Sequence, residues 1–509
     1  MRLLSAALVA VMHLSATSCS QAQSMKMPNA DYLSLAQFET AKVAYDDQRY
    51  DNAYLMLVAL MEPRMFDQFS TLRKYEVATM AGVAAYKMGD RALAHRAAIE
   101  ATKLALATDR DWGFRLLSAV RANDGPDAML AFRQLVQRQR GKPRPNPFMA
   151  TFAAANIDDF DHLVTQLPDA NRARLEVGRQ LELEDWRSDF AYADPGAVWL
   201  HYAQALIADG QISKATEVVE RITDPMVISA MHADKRFDPI IAANPRLQDV
   251  DRAAQDYLVQ AQSLVRENPR FISARLFEIR ALEVLQRSAE ALAVVDEIKA
   301  SIAKAPTYKP PFDDMYLVPH LAVQRGASLM SLGRVDEAIG SRTAVADQNN
   351  YAALALARSL VDVGRGPEAL EWLSRVRGEE LGLQAQMDLA NLRACAATQQ
   401  RDSEEVARQL DYLRANRRWK PEAVVRALLC SNQLDAASTE FLLQIRDPGM
   451  RLSALNALQI YAEDLHPTAQ EKAMAEGWAR LRARPEVMRE VDAVGRINRF
   501  HTEGWQSVS

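Results

Sequence analysis

Residues 326–338 read GASLMSLGRVDEA, and this stretch decides the fold. Gly326 and Gly333 stand seven residues apart, Leu329 lies between them, and Ala338 follows five residues after Gly333. A helix, a tight turn and a returning helix need that layout. Gly326 withholds a side chain where a neighbouring helix packs close. Gly333 takes the turn, where φ > 0 is required. Ala338 is the small contact on the returning helix. The pattern recurs 31 residues later, with Leu356, Ala357, Leu360, Gly364, Ala369 and Leu373 in the matching places.

Outward from this pair the same spacing orders most of the chain. Ala41, Ala44, Ala53 and Leu57 flank a turn at Gln48-Arg49-Tyr50. Gly82, Gly89, Ala94, Ala98 and Ala101 keep the seven-then-five spacing around Met88-Gly89-Asp90. A weaker pair surrounds Asn123-Asp124-Gly125-Pro126, with Ala128 and Phe132 on its returning helix. Trp199, Tyr202, Ala203, Leu206, Gly210 and Ala215 form another repeat, and Leu276, Leu282, Ala291 and Val295 one more around Gln286. Leu428, Asn432, Ala437 and Phe441 make the last recognisable one. Gly364 and Asn432 are 68 residues apart, so an intermediate turn is expected near 398, at the polar run Gln399-Gln400-Arg401-Asp402.

This series resembles the tetratricopeptide repeat (TPR), a helix–turn–helix unit of about 34 residues. The resemblance covers about 60–70% of the chain beyond residue 22, in about eight divergent repeats. In several of them Ala or Ile replaces the first-helix glycine, and the terminal proline is mostly missing. The resemblance implies an all-α fold, an α-α superhelical solenoid of divergent TPR-like helix–turn–helix repeats, with first helices lining a concave face.

Composition agrees. Of 509 residues, 49% are apolar and 25% charged, and only 7% are aromatic. Period-two runs of Val, Ile and Thr are scarce. The net charge of −5 argues against a nucleic-acid binder, which would carry a basic excess.

Residues 1–22 read as a signal peptide. Arg2 is followed by an apolar stretch of about 12 residues, too short for a permanent membrane span. Cleavage after Ala22 would release a chain into the periplasm. Alternatively, Ala16-Thr17-Ser18-Cys19 looks like a degenerate lipobox, which would lipidate Cys19 and tether the protein to the outer membrane.

The expected organisation follows: an N-terminal array over 23–140 and a Pro-rich hinge over 141–147, where Pro143, Pro145 and Pro147 alternate. A divergent helical region spans 148–250, with its repeat at 199–225. The C-terminal array covers 251–450, a helical cap 451–497 and a frayed tail 498–509. Asp234-Lys235-Arg236-Phe237-Asp238-Pro239 reads as a helix-ending loop whose Phe plugs between layers. Pro306, Pro310 and Pro311 mark an inserted loop.

Cys395 and Cys430 are 35 residues apart, about one repeat. Equivalent positions in adjacent repeats lie ~9–10 Å apart, beyond the ~7 Å Cα separation that a disulfide tolerates. Two buried thiols are therefore expected, with a disulfide as the alternative.

Catalytic signatures are scarce. No zinc-protease, Cys-Xaa-Xaa-Cys, nucleophile-elbow or phosphate-loop motif occurs. His320 is a lone histidine near a helix start, and Asp313-Asp314, Glu379-Glu380 and Glu404-Glu405 suit solvated turns and helix starts. No cofactor is implied. Position-by-position transfer from the TPR instead implies a partner-binding groove. Its contact set is Arg280, Arg358 and Arg426 at one recurring place, with Tyr351, Asp362, Glu283 and Glu422 nearby. Arginines there could clamp peptide carboxylates or pair with acids of the next helix. The same transfer in the N-terminal array yields Glu76, Tyr86 and Lys87, which form no pattern.

The expectation is a non-catalytic scaffold of the bacterial cell envelope that binds a protein or peptide partner. The alternatives are an envelope ligand-binding or sensory component and a superhelical cell-wall enzyme. Lytic transglycosylases of that kind carry a Glu-Ser pair, and no Glu-Ser dipeptide occurs here.

Overall fold

The computed structural model describes residues 30–139, 157, 159–184, 196–306, 309–378 and 381–503. The expected signal peptide with Cys19 and the Pro-rich hinge at 141–147 lie outside them. The described residues are helical throughout, joined by turns and two isolated β-bridges. The chain divides into two compact units, Met1–Leu106 and Ala107–Ser509.

In the first unit, α1 (Ala30–Asp46) pairs with α2 (Tyr50–Leu60), and α3 (Thr71–Lys87) with α4 (Arg91–Lys103). Small residues let the pairs close: Ala41, Ala44, Ala53, Ala81, Ala84 and Ala98 are buried. Asp90 caps α4 through Leu93 N and also accepts the Tyr54 hydroxyl at 2.9 Å.

The second unit opens with α5 (Asp109–Ala122) and α6 (Gly125–Gln139), then α7 (Ala170–Leu183), α8 (Gly196–Ala208) and α9 (Ile212–Val219). Next come α10 (Pro225–Ala233) and α11 (Val250–Glu267). Between them Phe237, fully buried in a single 3-10 turn, fills the layer as the sequence suggests. The array proper then runs through α12 (Ile272–Val284), α13 (Ser288–Lys304), α14 (Val318–Ser331), α15 (Val335–Ala346), α16 (Asn350–Asp362) and α17 (Gly366–Arg375). It continues with α18 (Leu383–Gln400), α19 (Ser403–Ala415), α20 (Pro421–Cys430), α21 (Leu434–Arg446), α22 (Arg451–Ala457), α23 (Ala469–Arg482) and α24 (Pro485–Val494).

The turns follow one design. Every described residue with positive φ sits at an expected turn: Gln48, Gly89, Asn123, Gly210, Gln286, Gly333, Gly364, Arg401 and Asn432. The amide after each closes on the carbonyl five residues back, as in Arg334 N to Leu329 O (2.9 Å) and Arg365 N to Leu360 O (2.7 Å). This is the Schellman closure, which satisfies a helix-end carbonyl.

The first helices α12, α14, α16, α18, α20 and α22 stack in one continuous row, and α13, α15, α17, α19 and α21 fill in behind them. A row whose members all touch lies on the tighter radius, so the first helices form the inner face. The row also curls back on itself, because α22 packs against α10.

Residues 458–503 do not simply cap the end. Helix α22 stops at Ala457 and the next helix begins at Ala469, so the expected helical cap over 451–497 is interrupted. The chain then runs along the turns of the array, with Gln286 Nε2 donating to Glu463 O (3.0 Å) and the His466 ring beside Gly333. Helix α23 lies across α16 and α20, and α24 packs on α21. Trp478, Leu481, Val487 and Val491 are buried there. The tail expected to fray from 498 is ordered to 503. Phe500 and Thr502 are buried, and the backbone of Asn498, Phe500 and Thr502 is hydrogen-bonded to Ile460 and Ala462.

Cys395 and Cys430 form a disulfide, with Cα atoms 5.5 Å apart, which corrects the expectation of two separate thiols. The turns at Arg401 and Asn432 are 31 residues apart but the cysteines 35. The two positions are therefore staggered by one helical turn, and they are not equivalent. On helices lined with Ala394, Ala396, Ala397 and Ala427, that stagger brings the sulfurs together.

Candidate functional site: the inner face of the array

The inner helices carry a row of charges enclosed by small apolar residues. Glu283 on α12 is 6% exposed and accepts the Ser328 hydroxyl of α14 at 2.9 Å. Arg342 reaches inward from α15. It passes over Gly326 and donates to Ala355 O (3.2 Å), Val323 O (3.4 Å) and the Ser359 hydroxyl. A Cβ on Gly326 would lie 2.6 Å from Arg342 Nε and 2.7 Å from its Cγ. The glycine read as a helix-packing residue therefore makes room for one specific arginine.

Further along the row, Asp388 of α18 accepts Lys420 Nζ at 2.8 and 2.9 Å and pairs with Arg358 of α16 at 3.5 Å. Burial alone would raise the Asp388 carboxyl, but Lys420 and Arg358 outweigh it and hold it below the usual range. Asp362 lies among Arg358, Arg426 and Arg342, yet burial and the Glu471 carboxylate push it up to about 6. Burial pulls Arg426 downward, and Arg358 adds to that. Burial also lowers Arg342, to about 10. Glu422 accepts the Ser453 hydroxyl at 2.5 Å.

The structure thus brings Arg358 and Arg426 together, with Asp362 and Asp388 as the carboxyl groups that both arginines face. Arg280 lies further back along the row, where Asp224, which caps α10, accepts its guanidinium at 2.6 Å. Tyr351 stands apart. It is 58% exposed and lines a cavity of about 390 Å³ with Trp372, Arg375, Arg377, Asp347 and Asn350. The Arg375 guanidinium stacks 4.4 Å from the Trp372 ring centroid. His320 is exposed at the start of α14. In the first unit Glu76 sits 3.6 Å from Arg73, which also pairs with Glu39 at 3.1 Å.

Sequence reasoning missed one cluster. His201 Nδ1 meets the buried Asp161 carboxylate, and the His162 ring lies 6.3 Å from His201 and contacts Gln384. Burial would raise Asp161, but His201 holds it down. Positions 161 and 162 fall in the stretch where the repeat spacing is lost, and although His201 lies within the repeat at 199–225, that spacing does not say that it faces Asp161. The placing of α23 and of the 496–503 segment was equally invisible.

Among the described residues no group of three His, Cys, Asp or Glu side chains could hold a metal ion, and no helix is long and apolar enough to cross a membrane.

The chain is a TPR-like helical repeat protein by its own helix pairing. No family model matches it, and no curated protein does. Among solved structures, yeast Tom70 overlaps at 13% identity and a TM-score of 0.33, over 91% of this chain and 100% of that one. Cut9–Hcn1 of the APC/C overlaps at 12% identity and a TM-score of 0.30, over 90% and 96%. Naa15/Naa10 bound to HypK overlaps at 14% identity and a TM-score of 0.22, over 90% and 74%. At these scores the overlaps carry no argument beyond the helix pairing already described.

Proposed function

We propose that this protein is a non-catalytic protein–protein interaction scaffold of the bacterial cell envelope. It presents the inner face of a TPR-like array to a peptide or partner helix, and Arg280, Arg358, Arg426, Tyr351 and Asp362 are the candidate contact set. The observation that carries the reading is the continuous inner row of first helices with its enclosed line of charged side chains. An array of this kind offers a long surface rather than a converging catalytic pocket. Export is supported by the Arg2-led apolar lead with its small-residue end, free or lipidated at Cys19. The Cys395–Cys430 disulfide suits an oxidising compartment.

The test is capture from envelope fractions with wild type and with Arg280→Ala, Arg358→Ala and Arg426→Ala singly, folding being followed by circular dichroism. A partner lost while the fold survives supports the inner face. A partner kept by all three variants refutes it.

A second reading, an envelope ligand-binding component, is favoured by the cavity beside Tyr351 and Trp372. A ligand-dependent rise in melting temperature that Trp372→Ala abolishes would support it.

A further inference from the structure

Residues 458–503 run along the turn ends of the first helices, meeting Gln286, Gly333, Cys430 and Asn432, and they do so in two parts of unequal strength. Helices α23 and α24 are anchored by Trp478, Leu481, Val487 and Val491, all buried. The last part, residues 496–503, contributes one buried large apolar side chain, Phe500, whose ring lies 5.6 Å from that of Tyr461, and the half-buried Ile497. The rest of its hold is polar. Arg496 N donates to Ala233 O (3.0 Å), Asn498 Nδ2 to His232 O (3.1 Å), and Phe500 N to Ile460 O (2.8 Å). Ala462 N donates to Thr502 O (3.1 Å), and Glu503 N to Val284 O (2.9 Å). A segment held in this way opens locally at far lower cost than the helices before it.

We infer that residues 496–503 are a proton-controlled latch, which ties the end of α12 to α10 through the juxtaposed carboxyl groups of Glu283 and Glu503 and frees that end of the inner row when it opens. Glu503 bonds to the backbone of Val284, next to Glu283. Two carboxylates held there repel when both are charged. Burial, and after it the Glu503 charge, push the Glu283 carboxyl up to about 8, against the smaller pulls of Ser328, Arg342 and Arg280. These are the groups that face it from α12, α14, α15 and the latch. Elsewhere on the latch, Arg496 pairs with Asp238 at 2.5 Å and His501 with Asp251 at 2.8 Å, while Arg499 faces Arg482.

The sign follows from the raised value. The closed state holds the Glu283 proton more tightly than the open one, so closure is favoured at low pH. It weakens as pH rises towards about 8. The opening constant climbs by up to about tenfold per pH unit below that point and levels off above it.

The use of such a latch rests on the inner face being the partner surface. Its existence is tested without any partner, so the two ideas fail separately. The experiment is hydrogen–deuterium exchange on the full chain from pH 6 to 9, corrected for intrinsic exchange, reading the amides of Ala462, Phe500 and Glu503. Wild type should lose protection at these sites by at least tenfold across the range, while Trp478 stays protected. Glu283→Gln, neutral at every pH and still an acceptor for Ser328, should hold a flat profile, and Glu503→Gln should flatten it as well. His501→Gln should keep the wild-type profile. A flat wild-type profile overturns the inference. So do a Glu283→Gln profile that follows wild type, flattening by His501→Gln alone, and loss of protection at Trp478 in step with Phe500.

Discussion

Gly326→Ala pits two effects of opposite sign against each other. In an ordinary helix interior the change stabilises by up to ~1 kcal/mol. Here the added Cβ would sit 2.6 Å from Arg342 Nε, 2.7 Å from Cγ and 2.9 Å from Cδ. Carbon contacts settle near ~3.5 Å or beyond, so the arginine must move by the better part of an ångström. Its bond to Val323 O is already 3.4 Å and that to Ala355 O 3.2 Å, so such a shift breaks the first and strains the second. Arg342 is 8% exposed and, with its guanidinium lowered only to about 10, it stays charged at neutral pH. Each charged hydrogen bond lost costs ~1.5–3 kcal/mol, which outweighs the propensity gain. The net expectation is a destabilisation of ~1–3 kcal/mol, measured by urea denaturation followed by circular dichroism. Repeating the change in an Arg342→Met background closes the cycle. With no guanidinium to displace, Gly326→Ala should become neutral or stabilising there. Stabilisation by the single variant in the wild-type background would show that Arg342 relaxes freely and that the glycine is not kept for it.

Reducing the Cys395–Cys430 disulfide, which closes a separation of 35 residues, should cost ~3–4 kcal/mol by the chain-entropy estimate. The denaturation midpoint should fall on adding reductant, and a Cys395→Ser, Cys430→Ser variant should be insensitive to it. Asp362 is raised from an ordinary 3.8 to about 6, so its contribution is full below ~4 and is lost as pH climbs through 6. Stability should fall by up to ~1.4 kcal/mol per pH unit in that window, and Asp362→Asn should flatten the slope there. Gly495→Ala places a Cβ 2.3 Å from Ala233 O and 2.6 Å from Leu455 Cδ2, so overpacking of ~1–3 kcal/mol is expected. Exchange protection should drop from Arg496 onward while α12–α17 keep theirs.

What was legible in the sequence was local. Each turn is specified by residues within a few positions of it. Gly333 and Gly364 adopt φ of 71° and 79° where the spacing requires a turn. The one placed by extrapolation, near 398, falls at Arg401. Arg358 and Arg426 were likewise found by repeat position, and the structure does put them on one row. The strap that residues 458–503 form along the array was not legible, because α23 is an ordinary amphipathic helix whose sequence does not say which surface it covers. Glu503 and Val284 are brought together over more than 200 positions, and Asp161 and His201 across a stretch with no period. The cysteines misled because the step between turns here is 31 residues rather than the usual repeat length, and a four-residue stagger decides whether two sulfurs meet.

The strap also changes what kind of object the array is. An open solenoid is nearly one-dimensional: each repeat touches only its neighbours, and its ends are the weak points. Contact between α22 and α10, with Arg280 of α12 bonded to the α10 cap Asp224, links the two ends of this row through α10, and α23 bridges α16 and α20 across α18. Loosening one inner helix therefore strains partners several repeats away. The buried charges act in the same direction. Asp388 is satisfied only while α16, α18 and the start of α20 keep their register, because its partners Arg358 and Lys420 come from either side. An uncompensated buried charge is costly, by ~3–5 kcal/mol when one partner is removed, so a slipped register is penalised more heavily than an apolar seam would penalise it. The charged row and the strap together hold the inner face at one fixed curvature. A surface of fixed curvature can reject a partner of the wrong shape, and a freely flexing solenoid would instead bend to accept it.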